Sequence, residues 1–516
     1  MDIDGMRPAK RRPQQRSIDG FARVPAAPRV NTHTSQTKVR PAQGQRFART
    51  VTPDTNAFPL PKYYEPERPA KVTRGKVSKK MLALRVGSAF LVLVLVTGGF
   101  FSWKAYSKFH KVFRGTTTVA ALSNKPVTPN LLKGEGDGRV NILLLGIGGP
   151  GHDGPDLTDT IVVLSVDPVN NTAAMLSIPR DLWVQQPVNY FGKQQKINAA
   201  YESGKYKYLG KLDASGANAS AVEAGFSSID TVVKNVLNVN VNYHMLVNFQ
   251  AFRQAIDTVG GVTVDVKEPL IDPTMAWENH WNSTLAPAGV QQMDGVKALL
   301  YARSRETSSD FARSERQRQI LVALKDKVLT AGTLSNPTKI DGLMNAFGDN
   351  VYSDLSTQGA TRLYSIMKKV SDNKINSLGL TTPPHQLVTT DHIGTTSVVR
   401  PLAGFDNYTA IQSYILSQIP DGYLVKEHAP VVILGNTAAG ATAEGTLLKN
   451  YGYNVTSTGL SGQTVSSATV VDLSHGKNPF TQHYLEKRYG VKVVSTLPSG
   501  VTPPTTDTKF VILINK

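Results

Sequence analysis

The sequence predicts an α/β protein: a central mixed β-sheet flanked by helices, then a small separate α/β domain, behind one N-terminal transmembrane helix. Three observations predict it. Between 139 and 420, apolar runs rich in Val, Ile and Leu alternate with stretches of helical spacing. The same alternation restarts after Asp421-Gly422 and fills 429–516. One uncharged run of eighteen residues, Val86–Trp103, precedes both and reaches the roughly 18–20 residues a spanning helix needs.

Residues 1–80 are rich in Pro, Arg, Gln and Thr without apolar periodicity, which predicts a disordered basic tail. The chain holds 57 Lys+Arg against 39 Asp+Glu, but residues 1–85 hold 19 against 6. By subtraction the rest holds 38 against 33, so +13 of the +18 net charge sits at one end. That asymmetry is a topology signal. It places the tail in the cytoplasm and everything beyond Lys104 outside a single-pass anchor at 81–104 in the cell membrane. Lys79, Lys80 and Arg85 flank the run on one side, and Trp103 and Tyr106 occupy the interface position on the other. A cleaved signal peptide fits less well, because eighty residues precede a run longer than a usual h-region. Residues 105–138 read as a polar extracytoplasmic linker.

RVNILLLGI (Arg139–Ile147) and TIVVLSVD (Thr160–Asp167) read as strands. Asp167–Thr172 is a turn, and Ala173–Pro179 is a third strand that closes a hairpin with the second. Phe226, Ile229, Val233 and Leu237 recur at helical spacing and predict a helix over Ala221–Leu237. Tyr243–Phe249, a short helix to Val259, the Gly260-Gly261 turn and Val262–Val266 make a β-α-β sequence. In the last unit, Ala429–Asn436, a helix around Ala443–Asn450 stopped by Gly452, and the runs YNVTSTG, ATVVDLS and KFVILIN complete a small sheet.

The absence of cysteine excludes disulfides, iron–sulfur clusters, thiolate zinc sites and cysteine nucleophiles. Chemistry is left to four polar clusters. In Gly146–Thr160 the glycines let backbone amides approach an anion. Asp153, Asp156 and Asp159 in that loop offer the hard oxygens Mg²⁺ prefers. No Gly-Lys-Ser/Thr closes the loop, so it is not a P-loop. In Ile178–Trp183, Arg180 and Asp181 fall just past a buried strand, where α/β sheets place their sites. Lys196 and Asn198 open a helix.

Tyr301–Gln319 carries Arg303, Arg305, Arg313, Arg316 and Arg318. Arg303 and Arg305, two apart on an extended segment, share a side. Arg313 and Gln317, four apart on a helix, share a face, and Arg316 and Arg318 read as solvated. Guanidinium groups recognise phosphate oxygens bidentately, and phosphoryl transfer asks a protein chiefly to position groups and neutralise charge beside a metal ion.

In this order and behind one anchor, several motifs resemble the LytR-CpsA-Psr family of cell-wall glycopolymer ligases. They are NILLLG, TDT (Thr158–Thr160), SIPRD (Ser177–Asp181), KINAAY (Lys196–Tyr201), the Gly-Gly turn with VTVDV, and YARSR…DFARSERQ. The resemblance covers 139–329 and continues more weakly to 420, while 429–516 is similar to the LytR-type C-terminal domain. It implies transfer of a teichoic acid-like glycopolymer from a polyprenyl-(pyro)phosphate carrier to peptidoglycan, with Mg²⁺ or Mn²⁺ as cofactor. By position, Asp159 would bind the metal, and Arg180, Arg303, Arg305 and Arg313 would hold the pyrophosphate. Asp181, Lys196, Asn198, Asp310 and Gln317 would make supporting contacts.

One departure matters. Where the family has an Asp two residues after the strand-one glycine, this chain has Gly148. Asp153 or Asp156 then supplies the missing ligand, with Asp156 preferred for its spacing from Asp159, or one carboxylate serves alone. Two alternatives stand beside transfer: a polyprenyl-pyrophosphate pyrophosphatase using the same residues, and a non-catalytic wall protein gripping anionic polymer. Nucleic acid is not an expected partner, since the part beyond residue 85 carries only the +5 left by subtraction.

Overall fold

The first strand explains the architecture. β1 (Val140–Ile147) alternates its side chains between two buried faces, with Leu143, Leu145 and Ile147 on one and Val140 and Ile142 on the other. A strand buried on both sides must lie inside its sheet. In this computed structural model, residues 112–329 and 350–516 are described, apart from 117, 124, 212–217, 305–309, 382–384 and 502–506, together with isolated positions 107, 342, 343, 345, 347 and 348. The stretches expected to form the basic tail and the membrane-spanning helix lie outside the described residues. Among those described, no helix is long and apolar enough to cross a membrane.

β1 pairs antiparallel with β2 (Thr158–Asp167), which turns through Asn171 into β3 (Thr172–Ser177) as the predicted hairpin. The φ of 52° at Asn171 is one that asparagine tolerates. β3 stops short of the predicted Pro179, which has no N–H to donate to a ladder. Next come β4 (Trp183–Gln185), β5 (Gln194–Lys196), α1 (Ala199–Leu209) and α2 (Ala219–Leu237). Phe226, Ile229 and Val233 of α2 pack on the Leu143–Leu145 face of the sheet. β6 (Tyr243–Asn248) returns parallel to β1 and leads into α3 (Phe249–Thr258).

A second lobe follows. It comprises β7 (Val262–Val266), β8 (Leu270–Ile271), a 3-10 turn at Pro273–Asn279, β9 (Thr284–Ala286), β10 (Gly289–Met293), α4 (Gly295–Arg303) and α5 (Asp310–Leu329). Its core joins Ile256, Val264, Leu300, Tyr301 and Ile320. The chain then adds β11 (Val351–Ser353), α6 (Thr357–Met367), β12 (Ile375–Leu378), the hairpin β13 (Val388–Ile393) and β14 (Thr396–Pro401), and α7 (Thr409–Gln418). The main sheet runs β11-β6-β1-β2-β3-β12, with parallel and antiparallel pairs. It is the mixed sheet the sequence predicts, and α6 covers the face opposite α2 through Leu363, Ile366 and Met367.

The C-terminal part has its own sheet. α8 (Gly422–Glu427) precedes β15 (Pro430–Gly435), α9 (Ala438–Tyr451), β16 (Asn454–Leu460), β17 (Thr469–Asp472), α10 (Pro479–Tyr489) and β18 (Phe510–Ile514), with strand order β16-β15-β18-β17. Asp421, 1% exposed, joins the two parts. Its carboxylate accepts N–H bonds from Gly136 at 2.9 Å, Gly138 at 3.1 Å and Tyr423 at 2.9 Å, and the hydroxyl of Tyr484 at 3.0 Å. The stretch read as a polar linker is therefore packed down at its end. Leu122 is buried in the main core and Leu132 in the second one. Too few apolar residues interrupt that stretch for periodicity to show it.

His244 clamps β6 to its neighbours. Nδ1 lies 2.6 Å from Asp354, Nε2 lies 2.8 Å from Asp230, and the ring stacks on Phe226 at 4.2 Å. Burial disfavours the charged ring, but hydrogen bonds and charge from the two carboxylates outweigh it and push the pKa up to about 9. A pKa raised on folding adds stability that is fully present below the unfolded value of about 6.5 and is lost as pH rises through the folded value. The thermal midpoint should therefore fall as pH is raised through about 9. His244→Gln should start less stable and lack that part of the fall; an unchanged slope in the variant would refute the clamp.

Candidate functional site

Beyond the end of β1 the chain makes an excursion from Gly148 to Leu157 and re-enters the sheet at β2. Gly149, Gly151 and Gly154 in it take φ of 82°, 89° and 62°, conformations that side-chain-bearing residues avoid. Backbone bonds knot the next two clusters onto it. Asn198 N–H donates to the Arg180 carbonyl at 3.2 Å, and Thr158 N–H donates to the Asn198 carbonyl at 3.0 Å. As a result Arg180, at the end of β3, forms an ion pair with Asp159 of β2. Asn198 Nδ2 donates to the same carboxylate at 3.4 Å. Behind them, Arg180 Nε lies 3.5 Å from Asp181, whose other oxygen accepts from Lys196 Nζ at 2.7 Å.

The second lobe supplies the facing wall. α4 continues through Arg303, so this arginine ends a helix and does not stand on the extended segment the sequence predicts. Its guanidinium lies 3.0 Å from Glu278 and 4.8 Å from the centroid of the Phe249 ring. Arg313 and Gln317 face the same space from one side of α5, as their spacing predicts. Arg313 is only 8% exposed, and Gln317 Nε2 donates to Thr160 Oγ1 at 3.3 Å. A cavity of about 320 Å³ is lined by Asp153, Asp159, Arg180, Arg303, Arg313 and Gln317, among others. Lys196, Asp181 and Asn198 do not line it; they hold the residues that do. Arg305 lies outside the described residues, as does the side chain of Asp310 at the start of α5.

Two expectations need correction. Asp156, the preferred substitute ligand, is 2% exposed, and its oxygens lie 2.8 Å and 3.0 Å from Lys205 Nζ on α1. A buried ammonium requires its counter-charge, so this carboxylate serves the loop's anchorage and does not line the cavity. Burial, and next the charge of Asp156, raise neighbouring Glu202 to about 7. Arg316, read as solvated, is 7% exposed and donates to the carbonyls of Tyr301 at 2.9 Å and Ser304 at 2.6 Å. It fastens α5 to the end of α4. Arg318 does sit at the partly exposed edge, paired with Glu315.

The sequence reading missed the 3-10 turn that brings Asp272, Met275, Trp277 and Glu278 to the cavity. Asp-Pro followed by Thr at 272–274 signals such a turn: the Asp272 carboxylate accepts from Thr274 N–H at 3.0 Å. Nothing local shows that Glu278 meets Arg303. Among the described residues, no three acidic or histidine side chains converge as a metal cage. Asp153 and Asp159 nevertheless line the cavity with hard oxygens, and Mg²⁺ usually takes one or two carboxylates plus substrate phosphates. The donor set fits that mode.

The sheet ends and helical lobe of this α/β protein close on an arginine- and carboxylate-lined cavity, placed where α/β folds bind ligands and lined by groups whose geometry suits phosphate oxygens. Residues 104–399, more than half the chain, match the LytR_cpsA_psr family, and the chain belongs to it. It is 29% identical over 309 residues to the polyisoprenyl-teichoic acid–peptidoglycan teichoic acid transferase TagV of Bacillus subtilis, covering 59% of this chain and 71% of TagV. To the TagU transferase of the same description from Oceanobacillus iheyensis it is 31% identical over 277 residues, covering 52% and 75%. The crystal structure of B. subtilis TagV superposes with a TM-score of 0.41 at 27% identity, covering 55% of this chain and 97% of that one.

Two aspartates of the loop should separate in a melting experiment. Asp156→Ala removes the carboxylate that pairs with the buried Lys205 ammonium and should cost about 3–5 kcal/mol, read as a lower denaturation midpoint. Asp153→Ala, at an exposed position, should leave the midpoint within about 0.5 kcal/mol of the wild type. Equal losses would overturn the division of roles.

Proposed function

We propose that the protein is a membrane-anchored phosphotransferase that moves a glycopolymer from a polyprenyl-(pyro)phosphate carrier onto peptidoglycan outside the cell membrane. The convergence of Arg180, Arg303 and Arg313 on one cavity carries the reading. The teichoic acid transfer to peptidoglycan for which the TagV and TagU relatives are named supports it, and the uncharged run Val86–Trp103 behind a basic tail supports the anchor.

In the reaction, an acceptor hydroxyl of peptidoglycan attacks the phosphorus that joins glycan to carrier. A new P–O bond forms to the acceptor, the P–O bond to the bridging oxygen breaks, and polyprenyl phosphate leaves with its negative charge. Arg180, Arg303 and Arg313 bind the phosphate oxygens and stabilise the charge that builds on the leaving group. Gln317 and the Lys196–Asp181 pair keep those groups in place. Arg180 and Arg303 rest against the carboxylates of Asp159 and Glu278, so binding to them is an exchange. Phosphate arriving on Arg303 competes with Glu278, a carboxylate on the cavity wall suited to take the hydroxyl proton. Asp159, with Asp153, would hold Mg²⁺ or Mn²⁺ together with phosphate oxygens; the ion would supply further neutralisation of phosphate charge.

The test uses the full chain in detergent with a polyprenyl-pyrophosphate glycan and a peptidoglycan oligomer. Joined product that needs Mg²⁺ supports transfer, whereas phosphate release without joining would make the protein a pyrophosphatase. Arg303→Ala and Arg313→Ala should each lower turnover by about 10² or more, and Arg318→Ala by only a few-fold. Equal losses at all three would refute the assignment of faces.

A further inference from the structure

A second cavity among the described residues lies outside the arginine site. It is a groove of about 700 Å³ between the C-terminal half of α2, strand β4 and the segment leading into α7. The geometry points to this groove as the subsite for the glycan strand of the acceptor, an alternating N-acetylated polysaccharide. The inference rests on the proposed transfer to peptidoglycan and adds where the acceptor docks.

The groove's chemistry carries the argument. Sugars present hydroxyl and N-acetyl groups at their edges and apolar C–H faces to either side. A site for them needs planar amides that both donate and accept, plus exposed aromatic rings. Here Gln185, Asn235, Asn238 and Asn407 supply amides, and Phe405 and Tyr408 supply rings. Phe405 is 41% exposed, although the Arg400 guanidinium sits 5.6 Å from its centroid. Its open face is available to stack on the apolar C–H face of a sugar.

The groove is also built in advance. The Asp406 carboxylate accepts from Gln185 at 2.9 Å, Gln194 at 3.4 Å and the Tyr408 hydroxyl at 3.4 Å. Asp406 itself is held at φ 59°, a backbone conformation maintained only when its surroundings enforce it. Gln412 donates to the Asn235 carbonyl at 2.8 Å and ties α7 to α2. The charged side chains of the lining, Lys234 and Asp406, cancel. An anionic glycopolymer would gain nothing there and would meet a carboxylate, so the balance favours the acceptor strand over the donor polymer.

Position supports the same occupant. Gln185 stands five residues beyond Arg180, at most roughly 17 Å of extended chain. The Asp181 carbonyl between them accepts from Val399 N–H at 2.9 Å, fixing the hairpin that carries the Phe405 loop. A strand lying in the groove therefore ends within a few sugar units of the phosphate cavity.

The experiment measures binding, apart from turnover. Full-length protein in detergent is titrated with oligomers of alternating N-acetylglucosamine and N-acetylmuramic acid, and separately with polyprenyl pyrophosphate and with a soluble teichoic acid. The double substitution Phe405→Ala with Asn407→Ala, both exposed, should weaken oligomer binding at least tenfold and leave polyprenyl-pyrophosphate binding intact, which also reports that the variant is folded. Arg313→Ala should do the reverse. Unchanged oligomer affinity in the double variant, or no oligomer binding by the wild type, would overturn the proposal. A loss confined to teichoic acid would assign the groove to the donor instead. Failure of the transfer assay with oligomer binding lost in the double variant would leave the subsite standing and refute only the reaction.

Discussion

The ion pair between Arg180 and Asp159 is the contact on which the site depends. Guanidinium groups turned into a cavity lose much of their hydration, and the fold answers by meeting each with acceptors from another part of the chain. Asp159 of β2 meets Arg180 just past β3, and Glu278 of the 3-10 turn meets Arg303 of α4; backbone carbonyls likewise meet Arg316, which is buried away from the cavity. Each contact crosses between elements, and the bond from Gln317 of α5 to Thr160 of β2 ties the helical lobe to the sheet end. They leave the arginines assembled before any ligand arrives. In the proposed reaction a phosphate would replace one set of oxygens with another, with little reorganisation of the protein.

The loop between β1 and β2 shows how function and anchorage divide inside one short sequence. Its two acids and Asp159, just inside β2, are chemically alike, yet Asp153 and Asp159 face the cavity while Asp156 is closed over the Lys205 ammonium on α1. Without such a tie, a glycine-rich excursion would spread over many conformations at a cost of about 1–2 kcal/mol for each residue to be ordered. Gly148 leaves the usual strand-end carboxylate absent, and the buried aspartate does not replace it. The departure shifts the burden of metal binding in the proposed reaction onto Asp159 and the phosphates themselves.

Asp421 plays the corresponding part between the two sheets. One buried carboxylate gathers donors from the segment before β1, from α8 and from α10. Burial raises its pKa, while the backbone and tyrosine bonds favour its charged form. The C-terminal sheet is thereby docked onto the start of the main one, and residues 134–138 are structural where their composition suggests only a connection.

Much of the fold was legible because burial on two faces leaves a direct mark on sequence: continuous Val, Ile and Leu runs at 140–147 and 160–167, and the helical spacing of Phe226, Ile229, Val233 and Leu237. The residues of the phosphate cavity were legible for a related reason, since strand-end positions and an i, i+4 pair are local geometry. By itself the sequence determined the mixed α/β character, the two sheets, and the gathering of Arg180, Asp159, Arg313 and Gln317 as site material. Only the tertiary structure decided that Arg316 is buried while Arg318 is at an edge, that Asp156 belongs to Lys205, and that Glu278 faces Arg303. Those outcomes depend on which charges meet across elements distant in sequence. Pairing in space leaves no periodicity in the chain to read.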